Sequence, residues 1–497
     1  MVNGEVRLKY SGIVIFLARL LSVGTGLVFT LMVTRSLSSE IFGIYGNLSD
    51  VLAYFALATG IFPFWAVRFA ARDHKGSLST VLLANIAIAV PSSIIYLVLL
   101  PTVLPILQVS IDYMVVYLLI SIQIIENYVL TAIEAMLQAK KPQTIGFGLI
   151  VHETSKVCMG YVLILLFEKG LFGVVFSIIM AIFLQLLFYI KTIIPALHEK
   201  INWSYAKEWI KASPFNMYGI LGQRLADSIL LLLFIYGGKV ARGYYGAAFT
   251  IANIVGYSSL IGYALYPRLL SKTQPEDITS SLKMVLMFAM PMTFGAIIMA
   301  DSLLTILNIE YSAAIPILVL LSIDMLISCF SSVFGSVVYG AERLDAEAKI
   351  PLRKMIKSKL FLLLSLPYIQ AAISLPLAYY ALNYVAATAV DSAFFIASII
   401  LVIDSGLITI RYILAQKSLP FRMPLKQILK YVGAAAAMAL LLYVLPRPTR
   451  LTMTVALTLL GGCAYFVVLV VIDSESRGVV RDVLKEILRK IRPNESA

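Results

Sequence analysis

The sequence predicts an all-α polytopic membrane protein of about fourteen spanning helices. Three observations predict it. Hydrophobic residues make up 60% of the chain and charged residues only 13%, with a mean hydropathy of +0.91, far from the balance of soluble globular proteins. The apolar residues gather into runs of about 20 separated by short polar joints, the length a helix needs to cross a bilayer. Finally, one stretch recurs further along the chain: Phe42-Gly43-Ile44-Tyr45-Gly46 matches Arg242-Gly243-Tyr244-Tyr245-Gly246 glycine on glycine and tyrosine on tyrosine. At the same offset Ile61 falls on Ile261 and Arg68 on Arg268. A repeat of this length predicts two related halves facing one another across a pseudo-symmetry axis, with a substrate site between them.

In chain order the spans read 10–33, 41–67, 79–100, 113–138, 144–167, 170–194, 214–236, 244–267, 284–306, 312–340, 360–382, 386–414, 427–446 and 451–472. The first is a retained helix, because the run from Ile13 to Val33 behind Arg7 and Lys9 is too long for a signal-peptide core and lacks a small-residue cleavage site. Cys158, Cys329 and Cys463 all lie inside apolar runs without ligand spacing, which predicts packed small hydrophobes rather than a disulfide or a metal site. Pro91, Pro291, Pro367 and Pro376 within spans, with Gly24 and Gly26 in the first, suit bending bundles and are equally ordinary in membrane helices.

An even number of spans puts both termini on one side. With that side cytoplasmic, about 31 of the 40 Lys and Arg fall on inner segments, which predicts N-in, C-in in a cell membrane and accounts for much of the +13 net charge without any nucleic acid. External joints such as 35–40 and 237–243 are short and leave no outer domain for catalysis. The longer joints are 198–213, 342–359 and 416–426. The first carries Trp203, Tyr205, Trp209 and Ile210 among Lys200, Lys207 and Lys211, the composition of a helix lying in the headgroup layer. The tail from Arg477 to Ile491 repeats apolar residues at helical spacing with basic residues between them, a surface helix on anionic lipid.

Charges within spans cost roughly 2.5 to 3.5 kcal/mol each on insertion, so each is expected to face a cavity or a partner. Three cations sit near mid-span: Arg19, Lys156 and Arg224. Acids at similar depth are Asp50, Glu126, Glu153, Asp227, Asp324 and Asp404, with Glu134 and Asp391 nearer span ends. Glu153 and Lys156, like Arg224 and Asp227, are three residues apart on one helix face and either neutralise each other or offer the cation to a ligand. Arg19 has no such neighbour and needs a carboxylate on another helix, a wet cavity or an anionic ligand. Asp50, Glu126 and Asp324 are ion sites or partners of the arginines. Arg68 and Arg268, at span ends, are headgroup anchors or an entrance gate, and His152 beside Glu153 is a structural hydrogen-bonding group. Nucleotide-binding loops, dinucleotide fingerprints, metal-spaced Cys/His clusters and nucleophile elbows are all missing, so the chain reads as a non-enzyme without cofactor or metal.

Several short stretches resemble polysaccharide and oligosaccharide flippases of the multidrug/oligosaccharidyl-lipid/polysaccharide (MOP) exporter superfamily. They are Leu20 to Thr30, Thr34-Arg35-Ser36-Leu37-Ser38, Phe42-Gly43-Ile44-Tyr45 and Arg68-Phe69-Ala70-Ala71, then Asp227, Gly243-x-Tyr245-Gly246 and Gly340-Ala341-Glu342-Arg343. The resemblance implies two six-helix lobes in a V, here 1–197 and 214–415 joined by 198–213, with two added helices within 416–473 and a cytoplasmic tail, 474–497. It implies transport of a lipid-linked oligosaccharide by alternating access, with Arg19, Arg224 and Lys156 against the lipid (pyro)phosphate. Partners would be that substrate, membrane lipids and H+ or Na+ as a coupling ion, acting on a monomer. Gln123, Asn127, Tyr128, Asn216, Tyr218, Gln223 and Tyr257 are available to sugar hydroxyls or to structure. An ion-coupled multidrug (MATE-like) antiporter is the alternative.

Overall fold

A computed structural model describes residues 8–71, 74–259, 274–341, 358–474 and 477–478. Arg268, Ile261, Glu342, Arg343, nearly all of the 342–359 joint and nearly all of the amphipathic tail lie outside the described residues. Helices account for the described chain, as the composition predicts, and eleven of them are long and apolar enough to cross a membrane. The other three predicted spans correspond to α1 (Leu8–Ser36), to the pair α2 (Ser39–Phe55) and α3 (Ile61–Ala71), and to α11 (Lys239–Gly256).

The helices gather into two compact units, Met1–Gly246 with Pro367–Ser392, and Ala247–Leu366 with Ala393–Ala497. In the first unit α4 (Ser77–Ile106), α5 (Met114–Lys140), α6 (Pro142–Gly160) and α7 (Gly170–Leu197) follow α3. Then come the short α8 (Trp203–Ala212), α9 (Pro214–Asp227) and α10 (Ile229–Leu232), and the first turns of α11. Its core joins Phe62 and Ala66 of α3 to Val81 and Ala84 of α4, Ile133 and Met136 of α5, and Trp209 of α8. The second unit is built on α12 (Pro275–Ile298), α13 (Ala300–Leu307), α14 (Ile315–Ala341), the start of α15 (Lys359–Tyr380), most of α16 (Ala389–Ser418), α17 (Leu425–Val444) and α18 (Leu451–Ile472). Leu286, Met290 and Met438 pack there with Tyr465, whose hydroxyl donates to the Met287 carbonyl at 2.8 Å.

The second predicted span is broken. Residues 56–60 turn instead of continuing the helix, and backbone groups freed at membrane depth must find partners inside the protein. Two side chains supply them. The Tyr128 hydroxyl donates to the Phe55 carbonyl at 3.2 Å, and the Asn85 amide donates to the Thr59 carbonyl at 3.3 Å and the Tyr128 carbonyl at 2.9 Å. Tyr128, available on paper to a sugar, is fully buried in this structural task.

The repeated segments meet. Gly43 of α2 and Gly243 of α11 lie so close that a Cβ on Gly43 would stand 1.9 Å from the Lys239 carbonyl oxygen, and one on Gly243 would stand 2.1 Å from that of Ser39. Each glycine therefore faces the carbonyl four residues ahead of the other, a local two-fold relation between the two copies. Gly43→Ala is expected to lower stability by about 1 to 3 kcal/mol through overpacking of backbone on backbone. Gly433→Ala, mid-helix in α17 with no atom within 4 Å of the new Cβ, should not lower the thermal melting of the detergent-solubilised protein and should raise it slightly.

Candidate functional site

Small residues on α2 open the way for a long one on α11. A Cβ on Gly46 would meet the Arg242 guanidinium carbon at 2.8 Å, so glycine there lets that side chain pass over α2 without shifting. Arg242 then reaches Asp50, one turn further on, with Nε on Oδ2 at 2.9 Å and a terminal nitrogen on Oδ1 at 3.0 Å. Both side chains are largely buried, at 9% and 15% exposure, so this is a two-pronged pair in a low-dielectric setting. Nearer the helix starts Lys239 pairs with Glu40 at 3.2 Å on the surface. Of the alternatives for Asp50, the structure gives the partner of an arginine. Sequence reasoning missed that arginine because it placed Arg242 in a joint, whereas α11 already begins at Lys239.

One turn beyond Asp50 on α2, Tyr54 bonds to the end of α9. Its hydroxyl donates to the Arg224 carbonyl at 3.2 Å and lies 2.9 Å from the Ser228 hydroxyl, where α9 stops. Arg224 pairs with Asp227 at 3.1 Å, as the spacing predicts, and the Gln223 amide donates to the other oxygen of Asp227 at 2.9 Å. Unlike Arg242, Arg224 and Asp227 remain open, at 36% and 37% exposure. Tyr218, earlier on α9, is stacked at 4.5 Å on Tyr368, whose hydroxyl donates to the Tyr218 carbonyl; Gly222 makes room for that ring.

A second polar group lies among α1, α5, α6 and α7. Glu153 is buried and saturated: Lys156 stands at 2.8 Å, the Thr25 hydroxyl donates at 2.7 Å and the Ser22 hydroxyl at 3.0 Å. Lys156 is 14% exposed, with its ammonium 5.6 Å from the centre of the Phe29 ring. Glu153 and Lys156 thus tie α6 to α1. Glu134 accepts from Gln185 at 3.0 Å and from the Tyr189 hydroxyl at 3.1 Å. Arg19 is exposed, acts electrostatically on Glu134, and makes no ion pair among the described residues. Glu126 is buried with one oxygen lacking a hydrogen-bond partner.

In the second unit Asp324 is buried close to Asp404 and Arg411, and its Oδ1 has no hydrogen-bond partner among the described residues. Arg411, which is not among the cations singled out from the sequence, stands two turns from Asp404 on the same face of α16. Asp391 caps that helix: it accepts from the Thr388 amide at 3.0 Å while its own amide donates to the Thr388 hydroxyl at 3.1 Å, a pattern readable from Thr-x-x-Asp. Arg68 lies over the Phe64 ring at 4.5 Å and the Trp65 ring at 5.3 Å.

No family model and no curated protein matches the chain. Solved structures do. The inward closed conformation of the lipid II flippase MurJ superposes with a TM-score of 0.66, over 96% of this chain and 99% of that one, at 13% identity. An inward-facing multidrug resistance MATE family transporter of the MOP superfamily gives 0.59, over 80% and 95%, at 12% identity. An outward-facing MATE transporter gives 0.53, over 82% and 93%, at 11%. The chain has the fold of these transporters. The all-α polytopic architecture expected from the sequence is the architecture these neighbours share.

Truncating Arg242 to alanine strands the Asp50 carboxylate, which is expected to cost about 3 to 5 kcal/mol. The double substitution Asp50→Asn with Arg242→Met should recover most of that loss. Thermal unfolding of the unaltered protein, Arg242→Ala and the double variant in detergent checks both statements.

Proposed function

We propose that the protein is a transporter that moves a polyprenyl or dolichyl (pyro)phosphate-linked oligosaccharide across the membrane by alternating access. The observation that carries this reading is the uneven treatment of the intramembrane cations. Lys156 and Arg242 are sunk into ion pairs that tie helices together, whereas Arg19 is exposed without an ion pair among the described residues and Arg224 keeps over a third of its side chain open. A guanidinium left open at mid-span is too costly to face hydrocarbon, so it faces water or an anion. Lipid-linked sugars bring such an anion. Their hydroxyls cost several kcal/mol each when buried without partners, and their phosphate costs far more, so a polar passage with arginines removes most of the barrier. The shape likeness to a lipid II flippase supports the reading.

In this scheme the polyprenyl tail stays in lipid while the head group travels past Arg19 and Arg224. Lys156 contributes charge balance rather than direct contact, since Glu153 already holds it. The membrane would be the cell membrane, with both termini cytoplasmic and the protein acting as a monomer. A second reading, ion-coupled drug export, is favoured by the buried Glu126 and Asp324 and by the partly buried Asp404, acids able to hold H+ or Na+. In proteoliposomes carrying a phosphate-linked sugar lipid, Arg19→Ala and Arg224→Ala should each slow flipping at least tenfold, a loss of about 1.4 kcal/mol or more in transition-state stabilisation. Unaltered flipping in both variants would remove the anion site, and dye export that follows an imposed ion gradient would favour the second reading.

A further inference from the structure

The first unit contains a groove that the transport reading does not use. It lies between α3, α4 and α8, with a volume of about 710 Å³, the size of a small-molecule pocket. Ile61, Phe62, Ala84 and Ala206 form its buried back, and Trp203 and Ile210 stand exposed at its mouth, at 54% and 58%. Lys207 is its one charged lining residue.

The wall made by α8 is a fixed part of the fold. Trp209, 1% exposed, packs against Phe62 at 6.3 Å and Phe69 at 5.6 Å. The turn ahead of α8 is pinned to the start of α4: the Asn202 amide donates to the Thr80 hydroxyl at 2.9 Å, the Ser79 hydroxyl donates to the Leu197 carbonyl at 3.3 Å, and the Gly76 amide donates to Glu199. Gly76 has φ +80, and a Cβ there would collide with the Lys200 carbonyl, so glycine is required for the two segments to close up. The Asn202 side chain then caps α8 by accepting from the Ser204 amide at 3.1 Å.

From this geometry we infer that the groove is a site for an anionic glycerophospholipid of the leaflet on which α8 lies, with an acyl chain between α3, α4 and α8 and the phosphate on Lys207. The argument rests on matching chemistry end to end. An apolar back accepts a hydrocarbon chain. A mouth lined by Trp203 and Ile210 belongs at the boundary between chains and headgroups. Lys207 at that level, with Lys211 one turn further along the same helix, supplies the charge that favours an anionic head over a zwitterionic one. The acids nearby do not cancel it, because neither Glu199, held by the Gly76 amide, nor the exposed Glu208 lines the groove, and Lys200, Lys207 and Lys211 outnumber them. The occupant would hold α8, and through Trp209 the ends of α3 and α4, in one arrangement.

The test is native mass spectrometry of the full chain released from nanodiscs of equal phosphatidylglycerol and phosphatidylcholine. Expected is one tightly retained phosphatidylglycerol per chain. Lys207→Ala should lower its preference over phosphatidylcholine about fivefold, and Lys207→Arg should restore it. Ala87→Phe, a substitution at an exposed lining position, should fill the groove and release both lipids. Equal retention of the two lipids by the unaltered protein would overturn the inference. So would an unchanged preference in Lys207→Ala, or undiminished retention in Ala87→Phe. The readout does not depend on transport, so it separates this site from the function proposed above.

Discussion

A charge surrounded by hydrocarbon must be answered by another charge or by water, and the first unit is arranged around that constraint. Arg242 and Asp50 answer one another through two hydrogen bonds, and every feature around them serves the approach. Gly46 is bare so that the guanidinium can cross α2, and Gly43 and Gly243 are bare so that the two backbones can come close enough for the reach to suffice. A side chain at Gly43 or Gly243 would push the helices apart, and one at Gly46 would displace the guanidinium itself. The value of the contact lies less in its net energy than in the penalty of breaking it, because each partner alone would be a buried ion without compensation.

The same constraint sorts the other polar groups into those spent on structure and those left open. Glu153 satisfies its oxygens with Lys156, Ser22 and Thr25, and in doing so fastens α1 to α6. Asn85 and Tyr128 are consumed by the interruption between α2 and α3, where carbonyls would otherwise be stranded. Tyr54 closes the end of α9. Among the described residues Arg19 and Arg224 with Asp227 stay exposed after this accounting. The ligand contacts proposed above fall on groups of this kind, since a residue already committed on every side has nothing to offer a passing ligand.

An interruption in a spanning helix also has a mechanical meaning. The turn at 56–60 separates α2, which carries Asp50, from α3, which carries Arg68 against its aromatic neighbours. The regular α-helical ladder gives way there to tighter backbone bonds such as Thr59 to Ala56 and Ile61 to Ala58, supplemented by the side chains of Tyr128 and Asn85. Three π-helical turns, Tyr161–Leu166, Leu233–Gly237 and Ala381–Val385, end long spans and are further places where the backbone departs from a rigid rod.

The sequence by itself determined the all-α polytopic class, the helical segments that eleven of the expected spans became, and the local pairs Glu153 with Lys156 and Arg224 with Asp227. Those follow from hydrophobic run length and helical periodicity, which are properties of neighbouring residues. It also exposed the repeat, through glycines too specific to be filler. Only the tertiary structure decided that Asp50 belongs to Arg242, that Tyr128 and Asn85 support a broken helix, and that Asp324 meets Asp404 and feels Arg411. Each of these joins residues far apart in the chain, and no local pattern encodes which distant side chain will answer a buried charge. That choice is made when the helices pack, by how closely their backbones can approach.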